Sequence, residues 1–198
     1  MNLSPIAELS SHDRRILLNT CYGHFMSHFN MLVFPALVLP LTVRLGLGMA
    51  QVLELSFWMY LLFGLTALFW GLMADRFGPR RLLFIFFLGT GLSSFGASLW
   101  LDSPVLFASA LAALGFFSGI YHPAGLGLIS KEMSRVSLGM GYNGMFGNLG
   151  LAMSPLLTGL INWLWGPQAA YLVLGVLNLG GAVLMIVLPA SESTTATS

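Results

Sequence analysis

Charge is what this chain has least of. Its 198 residues include 8 Lys+Arg and 7 Asp+Glu, 8% in all, against about 25% in a soluble domain. That excludes an ordinary water-soluble globule. The few basic residues form no patch, so nucleic acid is not expected as a partner. A single cysteine, Cys21, excludes a disulfide framework or a cysteine-built metal site within one copy. Its apolar neighbours mark it as a small packing residue. No Ser-His-Asp set, aspartate pair or metalloprotease pattern is present, so the chain is not expected to be an enzyme. Residues 1–15 carry Glu8, Asp13, Arg14 and Arg15 but no small-residue cleavage pattern. They are expected to form a cytoplasmic N-terminal segment, with no removable signal peptide.

What the chain has is long apolar sequence. It is 57% hydrophobic with a mean hydropathy of +0.84. Six stretches are each long enough to cross a bilayer as a helix: 16–43, 51–74, 82–101, 104–129, 138–165 and 168–188. The expected fold class is therefore an all-α membrane protein, with one six-helix bundle over 16–189 and a polar, disordered tail at 190–198. Ser10-Ser11-His12-Asp13 and Asp102-Ser103-Pro104 read as helix starts. The third span is marked only by small residues, which let helices approach closely. The fifth is rich in glycine, including Gly139, Gly144, Gly147, Gly150 and Gly159.

The charges set the orientation. Arg14, Arg15, Arg76, Arg80, Arg81, Lys131 and Arg135 fall at alternate ends of the spans, and only Arg44 falls at the others. The positive-inside bias places the first group, and both termini, in the cytoplasm. Trp100, Trp163 and Trp165 then sit at the outer boundary, as an aromatic belt requires. The stretch 71–81, with one carboxylate, three arginines and two glycines, is expected to be a tight turn at the cytoplasmic surface.

Three imidazoles lie at membrane depth. His24 and His28 are four apart and share a helix face. His24 is about eight residues inside its expected span, roughly 12 Å at helical rise, and His122 lies at a similar depth in span four. Such groups are expensive there unless they face a wet cavity or each other. If the six spans are two inverted three-helix repeats, spans one and four correspond. Both carry histidine and both are interrupted by proline, at Pro35, Pro40 and Pro123, a pattern that points to a transport site. Tyr121, Asn30, Asn143 and Asn148 are the other polar groups that could line the cavity, the asparagines equally as glue between helices. No carboxylate or thiolate accompanies the histidines, so neither a metal nor another cofactor is expected. His12 reads as a loop residue.

The turn Gly71-Leu-Met-Ala74-Asp75-Arg76-Phe-Gly78-Pro-Arg80-Arg81 resembles the loop between helices two and three of the major facilitator superfamily, Gly-x-Leu-Ala-Asp-Arg-x-Gly-Arg-Lys. Met73 stands for the leucine and Pro79 for the first basic residue. Gly150-x-x-x-Ser154-Pro155-x-x-x-Gly159 resembles the fifth-helix pattern of the proton-driven exporters in that superfamily, with Ser154 replacing a glycine. Gly23-His24-Phe25-x-Ser27-His28, Phe34-Pro35, Tyr121-His122-Pro123-Ala124-Gly125 and Gly147-Asn148-Leu149-Gly150 extend the likeness over residues 22–188, closest to the fosmidomycin-resistance-type branch. The resemblance implies export of a small molecule in exchange for protons, across a bacterial inner membrane. Many exporters have an arginine in span four, and this chain has none. It also has no acidic residue deep in span one, so an imidazole would have to carry the proton.

The resemblance also implies two bundles where this chain has one. A second bundle, an identical copy or a partner chain, is therefore expected across the cavity. Asp75 is expected to meet the start of span five, residues 138–141, in that second bundle. The competing readings are a non-transporting scaffold and a fragment of a twelve-helix carrier.

Overall fold

The structure is a computed structural model that describes residues 9–189. Residues 1–8 of the N-terminal segment and the 190–198 tail lie outside the described residues. All regular structure among the described residues is helical: α1 (Ser11–Leu45), α2 (Met49–Glu54), α3 (Phe57–Leu65), α4 (Ala67–Phe77), α5 (Pro79–Leu99), α6 (Pro104–Ser118), α7 (Tyr121–Glu132), α8 (Val136–Trp165) and α9 (Pro167–Val187). Five stretches are long and apolar enough to cross a membrane: α1, α5, α6 with α7, α8 and α9. The bent pair Met49–Leu65 and Ala67–Phe77, at 47°, makes a sixth.

Most ends have local causes. Ser10 caps α1, its Oγ accepting from the Asp13 amide at 3.0 Å. The tight turn expected over 71–81 is confined to a single residue. Helix α4 runs through Asp75 and Arg76, and only Gly78 separates it from α5. Gly78 sits at φ +89, a region that ends helices and suits glycine alone, and Pro79 is preset for the first turn that follows.

The prolines act differently from expectation in span one. Pro35 and Pro40 lie inside an unbroken α1. Pro35 has no N–H for the Met31 carbonyl one turn back. The Tyr60 hydroxyl donates to that carbonyl instead, at 2.8 Å, tying the site to span two. In span four the helix does stop, at Gly119–Ile120, one turn before Pro123, where the proline ring disfavours a continuous ladder. The Ile120 amide turns to the Phe117 carbonyl, and Trp70 Nε1 donates to that of Phe116 at 2.9 Å.

Span two is broken twice, which the sequence did not announce. At Ser56 and Thr66, the residues at the breaks, the hydroxyls donate to the carbonyls of Leu53 (2.8 Å) and Leu62 (2.6 Å) in the helix just before. Such back-bonding competes with the ladder and bends it.

Packing follows two matching triplets. Helix α1 packs against α8, and α6 and α7 against α3 and α4. α1 meets α9 as α5 meets α6 and α7, while α5 and α9 pair with each other. This pattern is unchanged when spans 1–3 are exchanged with spans 4–6, as inverted repeats require. The basic end is tied by Lys131 Nζ to Asp75 Oδ1 at 2.9 Å and by the Ser134 hydroxyl and amide donating to Asp13. At the opposite end Arg44 donates through Nε and Nη2 to Asp102 at 2.7 and 2.8 Å. Those hydrogen bonds hold the Asp102 carboxyl below its usual range. Its contribution is full above the unfolded value and is lost as pH falls through the lowered folded one.

Deep in the bundle, Asn178 of α9 donates to Asn30 Oδ1 at 2.8 Å and accepts from the Thr90 hydroxyl at 2.9 Å. All three are fully buried. Replacing Asn178 with leucine leaves the buried Asn30 amide without this partner, while Thr90 keeps the Phe86 carbonyl at 2.6 Å, and should cost about 1–3 kcal/mol. Thermal unfolding in mild detergent would register this as a clear fall in Tm.

Candidate functional site

Helix α1 brings His24 and His28 to one face, and the break before α7 brings His122 up to them. The Nε2 atoms of His24 and His28 are 3.0 Å apart. Ring nitrogens of all three histidines lie within 4.8 Å of one another. The His122 ring stands edge-on to both, with centroids 5.2 and 5.5 Å away. All three side chains are half-buried. His24 is thirteen residues into α1, about 20 Å from the start of the helix at helical rise, because the helix begins before the apolar span. The cluster thus lies near the midpoint of the longest helix.

The proton positions follow from the partners. His24 Nδ1 lies 2.8 Å from the Asn143 backbone carbonyl, which only accepts, so Nδ1 carries a hydrogen. In the neutral ring Nε2 is then bare, and it accepts from His28 Nε2. Behind His24 the Tyr121 ring stacks at 5.0 Å. It is wholly buried, and its hydroxyl donates to the Thr20 carbonyl at 2.7 Å. Asn143 Nδ2 donates to Tyr121 Oη at 2.6 Å and to the Thr20 carbonyl at 3.0 Å. Phe63 of α3 closes one side, 6.2 Å from His122.

The other proposed residues are distributed unevenly. Asn30 does not join the histidines; it is paired with Asn178. Asn148 is exposed, on another face of α8 from Asn143. Gly150 and Ser154 press against α1. A Cβ at Gly150 would sit 2.3 Å from the Phe25 carbonyl oxygen, and Ser154 Oγ donates to the Phe29 carbonyl at 3.0 Å. Pro155 and Gly159 of the same motif are exposed. The buried face of α8 is a stripe of small or polar residues, Gly139, Asn143, Gly147, Gly150, Ser154 and Thr158.

At the basic end Gly71 approaches Pro123, and the Arg76 guanidinium lies 5.3 Å from the Phe77 ring centroid. Arg80 is half-buried and Arg81 exposed. Asp75 contacts Lys131 of its own chain, and both side chains are largely exposed. Thr90, Asn178, Thr20 and Phe63 went unremarked in the sequence, and Lys131 was read only as an orientation charge. Polar residues inside apolar runs were the available signal for Thr90 and Asn178.

Comparison with known proteins bears on the family. The chain matches the Major Facilitator Superfamily over residues 20–198. A curated relative, the "Probable hexose phosphate transport protein" of Chlamydia pneumoniae, is 28% identical over 176 residues, covering 87% of this chain and 38% of the relative. The chain thus spans less than half the length of that relative. With a helical bundle of six apolar spans and a family match over nearly its whole length, this multi-pass membrane protein belongs to the Major Facilitator Superfamily of transporters.

Proposed function

We propose that the chain forms one six-helix wall of a proton-coupled exporter of a small molecule, in a bacterial cytoplasmic membrane with both termini inside. One observation carries the reading: three half-exposed imidazoles from two repeat-related spans meet near mid-helix. Packing alone gives no reason to place them there, since each desolvated ring disfavours the site unless water or a solute meets it. A hydrogen-bonded pair such as His28 and His24 passes a proton by exchange of tautomers. The likeness of the His24, His122 and Gly150 segments to the fosmidomycin-resistance type favours export.

The opposing wall is a second six-helix bundle, from another copy or a partner chain. Only a narrow stripe of α8 is buried by its own bundle, and alternating access needs a second body. On this reading Asp75 exchanges between Lys131 and residues 138–141 of the second bundle, latching the cytoplasmic side. Asp75→Asn should then shift the inward–outward balance, read by cysteine cross-linking. It should alter stability by less than about 1 kcal/mol, because the Lys131 pair is exposed. Unchanged cross-linking would reject the latch.

A phosphorylated sugar is the second reading, favoured by the substrate that the relative's name carries. Every Arg and Lys among the described residues lies at a helix end or the turns between helices. A phosphate group would therefore depend on imidazolium or on the second bundle for its counter-charge. Proteoliposomes given fosmidomycin or a hexose phosphate, with an internal pH dye, decide between the two. Solute-driven proton movement and a dimer-sized particle in mild detergent are expected; a monomer that moves neither solute nor protons rejects the proposal.

A further inference from the structure

The sequence offered no anionic ligand beside the histidines and so gave no reason to expect a metal. The side-chain geometry changes that judgement. His24 and His28 stand one helical turn apart, and their Nε2 atoms are 3.0 Å apart. Two nitrogens on one tetrahedral zinc-type ion, at about 2.0–2.1 Å each, are separated by about 3.3 Å. The pair is thus already at chelating distance. The third nitrogen, from His122, is within 4.8 Å. It closes the remaining gap by side-chain rotation of a half-buried ring that stands edge-on to the other two.

A second observation points the same way. Imidazoles that bind metal through one nitrogen almost always donate the other N–H to a fixed acceptor, which holds the tautomer and the ring plane. His24 does this: Nδ1 donates to the Asn143 backbone carbonyl at 2.8 Å, leaving the Nε2 lone pair aimed at His28 and not at the protein wall. A backbone carbonyl on α8 cannot rotate away as a side chain would. Gly147 beside it makes room for the ring, since a Cβ there would lie 2.6 Å from the His24 imidazole.

We propose that His24, His28 and His122 bind one divalent transition-metal ion of the zinc class through three neutral imidazoles, with the fourth position open to water or to a donor atom of the solute. Binding moves the His28 proton from Nε2 to Nδ1 and frees both facing lone pairs, with no net change in protons. Imidazole ligands favour zinc, copper, nickel and cobalt over magnesium and calcium, which prefer oxygen. The proposal rests on the water-accessible cavity of the carrier reading, because the ion must arrive hydrated.

The test uses the full chain, purified in mild detergent with any affinity tag removed. Zinc uptake is measured by equilibrium dialysis, with magnesium as the control ion. One zinc per chain is expected, at least ten-fold weaker in His28→Gln and His122→Gln and unchanged in His12→Gln, whose ring lies at the cytoplasmic end. X-ray absorption on the zinc-loaded wild type is expected to report three imidazole ligands, which needs no variant to fold. No uptake by the wild type, equal uptake by His28→Gln, or fewer than three imidazoles overturns the proposal. Flux assayed with chelator present separates the two readings. Transport that continues without any metal uptake sinks the metal site and leaves the carrier, whereas loss of transport in every condition sinks the carrier.

Discussion

His122→Gln should lower proton-coupled flux about ten- to hundred-fold while leaving the folded bundle intact. The ring is half-exposed and makes edge contacts with His24, His28 and Phe63, so its removal leaves no sealed void. What glutamine cannot do is take up and pass on a proton near neutral pH. Proton transfer by a positioned side chain contributes about 10²-fold or more, and the His24–His28 pair that remains keeps the expected drop at or below that. His24→Gln should be at least as severe, since it also removes the donor to the Asn143 carbonyl. Initial rates of solute-driven acidification, normalised to inserted protein, provide the measurement. If His122→Gln transports at the wild-type rate, the cluster is packing and the cavity reading fails.

Gly115→Ala should be the most destructive single methyl in the chain. A Cβ there would lie 2.0 Å from the Met59 carbonyl oxygen and 2.7 Å from its Cα. Both obstacles are backbone, so α3 or α6 must move bodily. Ordinary overpacking costs about 1–3 kcal/mol, and a clash with no side chain to swing aside belongs at or above the top of that range. Gly127→Ala is the matched control. It sits in α7 with nothing within 4 Å of the added atom, and alanine is the better helix former by about 1 kcal/mol. Thermal unfolding in detergent should therefore fall steeply for the first and hold or rise for the second. Equal melting of the two would mean that α3 and α6 do not cross as closely as described.

The six spans were legible because bilayer-length apolar runs separated by charge have few other meanings. The histidine meeting was legible for a related reason: an imidazole inside such a run stands out, and the likeness of spans one and four suggested that they face each other. The rest was hidden for physical reasons. Asn30 carried the same polar signal as His24, but its direction depends on which helix lies beside it. Here that helix is α9, with Asn178. The double break of span two has no proline; it arises from Ser56 and Thr66 hydroxyls, which in other contexts sit quietly in helices. The tight turn in 71–81 was legible from its charges and glycines, but not that helix fills nearly all of the stretch and a single positive-φ glycine turns the chain. Asp75 met Lys131, a partner 56 positions away, which no local pattern could name.

The acceptor for His24 belongs to a neighbouring helix whose contact face is nearly free of bulky side chains. An axial slip of α8 along α1 by one helical turn, about 5.4 Å, would carry the Asn143 carbonyl, now 2.8 Å from His24 Nδ1, out of hydrogen-bonding range. Which nitrogen of that ring holds its hydrogen is therefore dictated by the register of two smooth cylinders, and sliding them resets the imidazole without anything touching it directly.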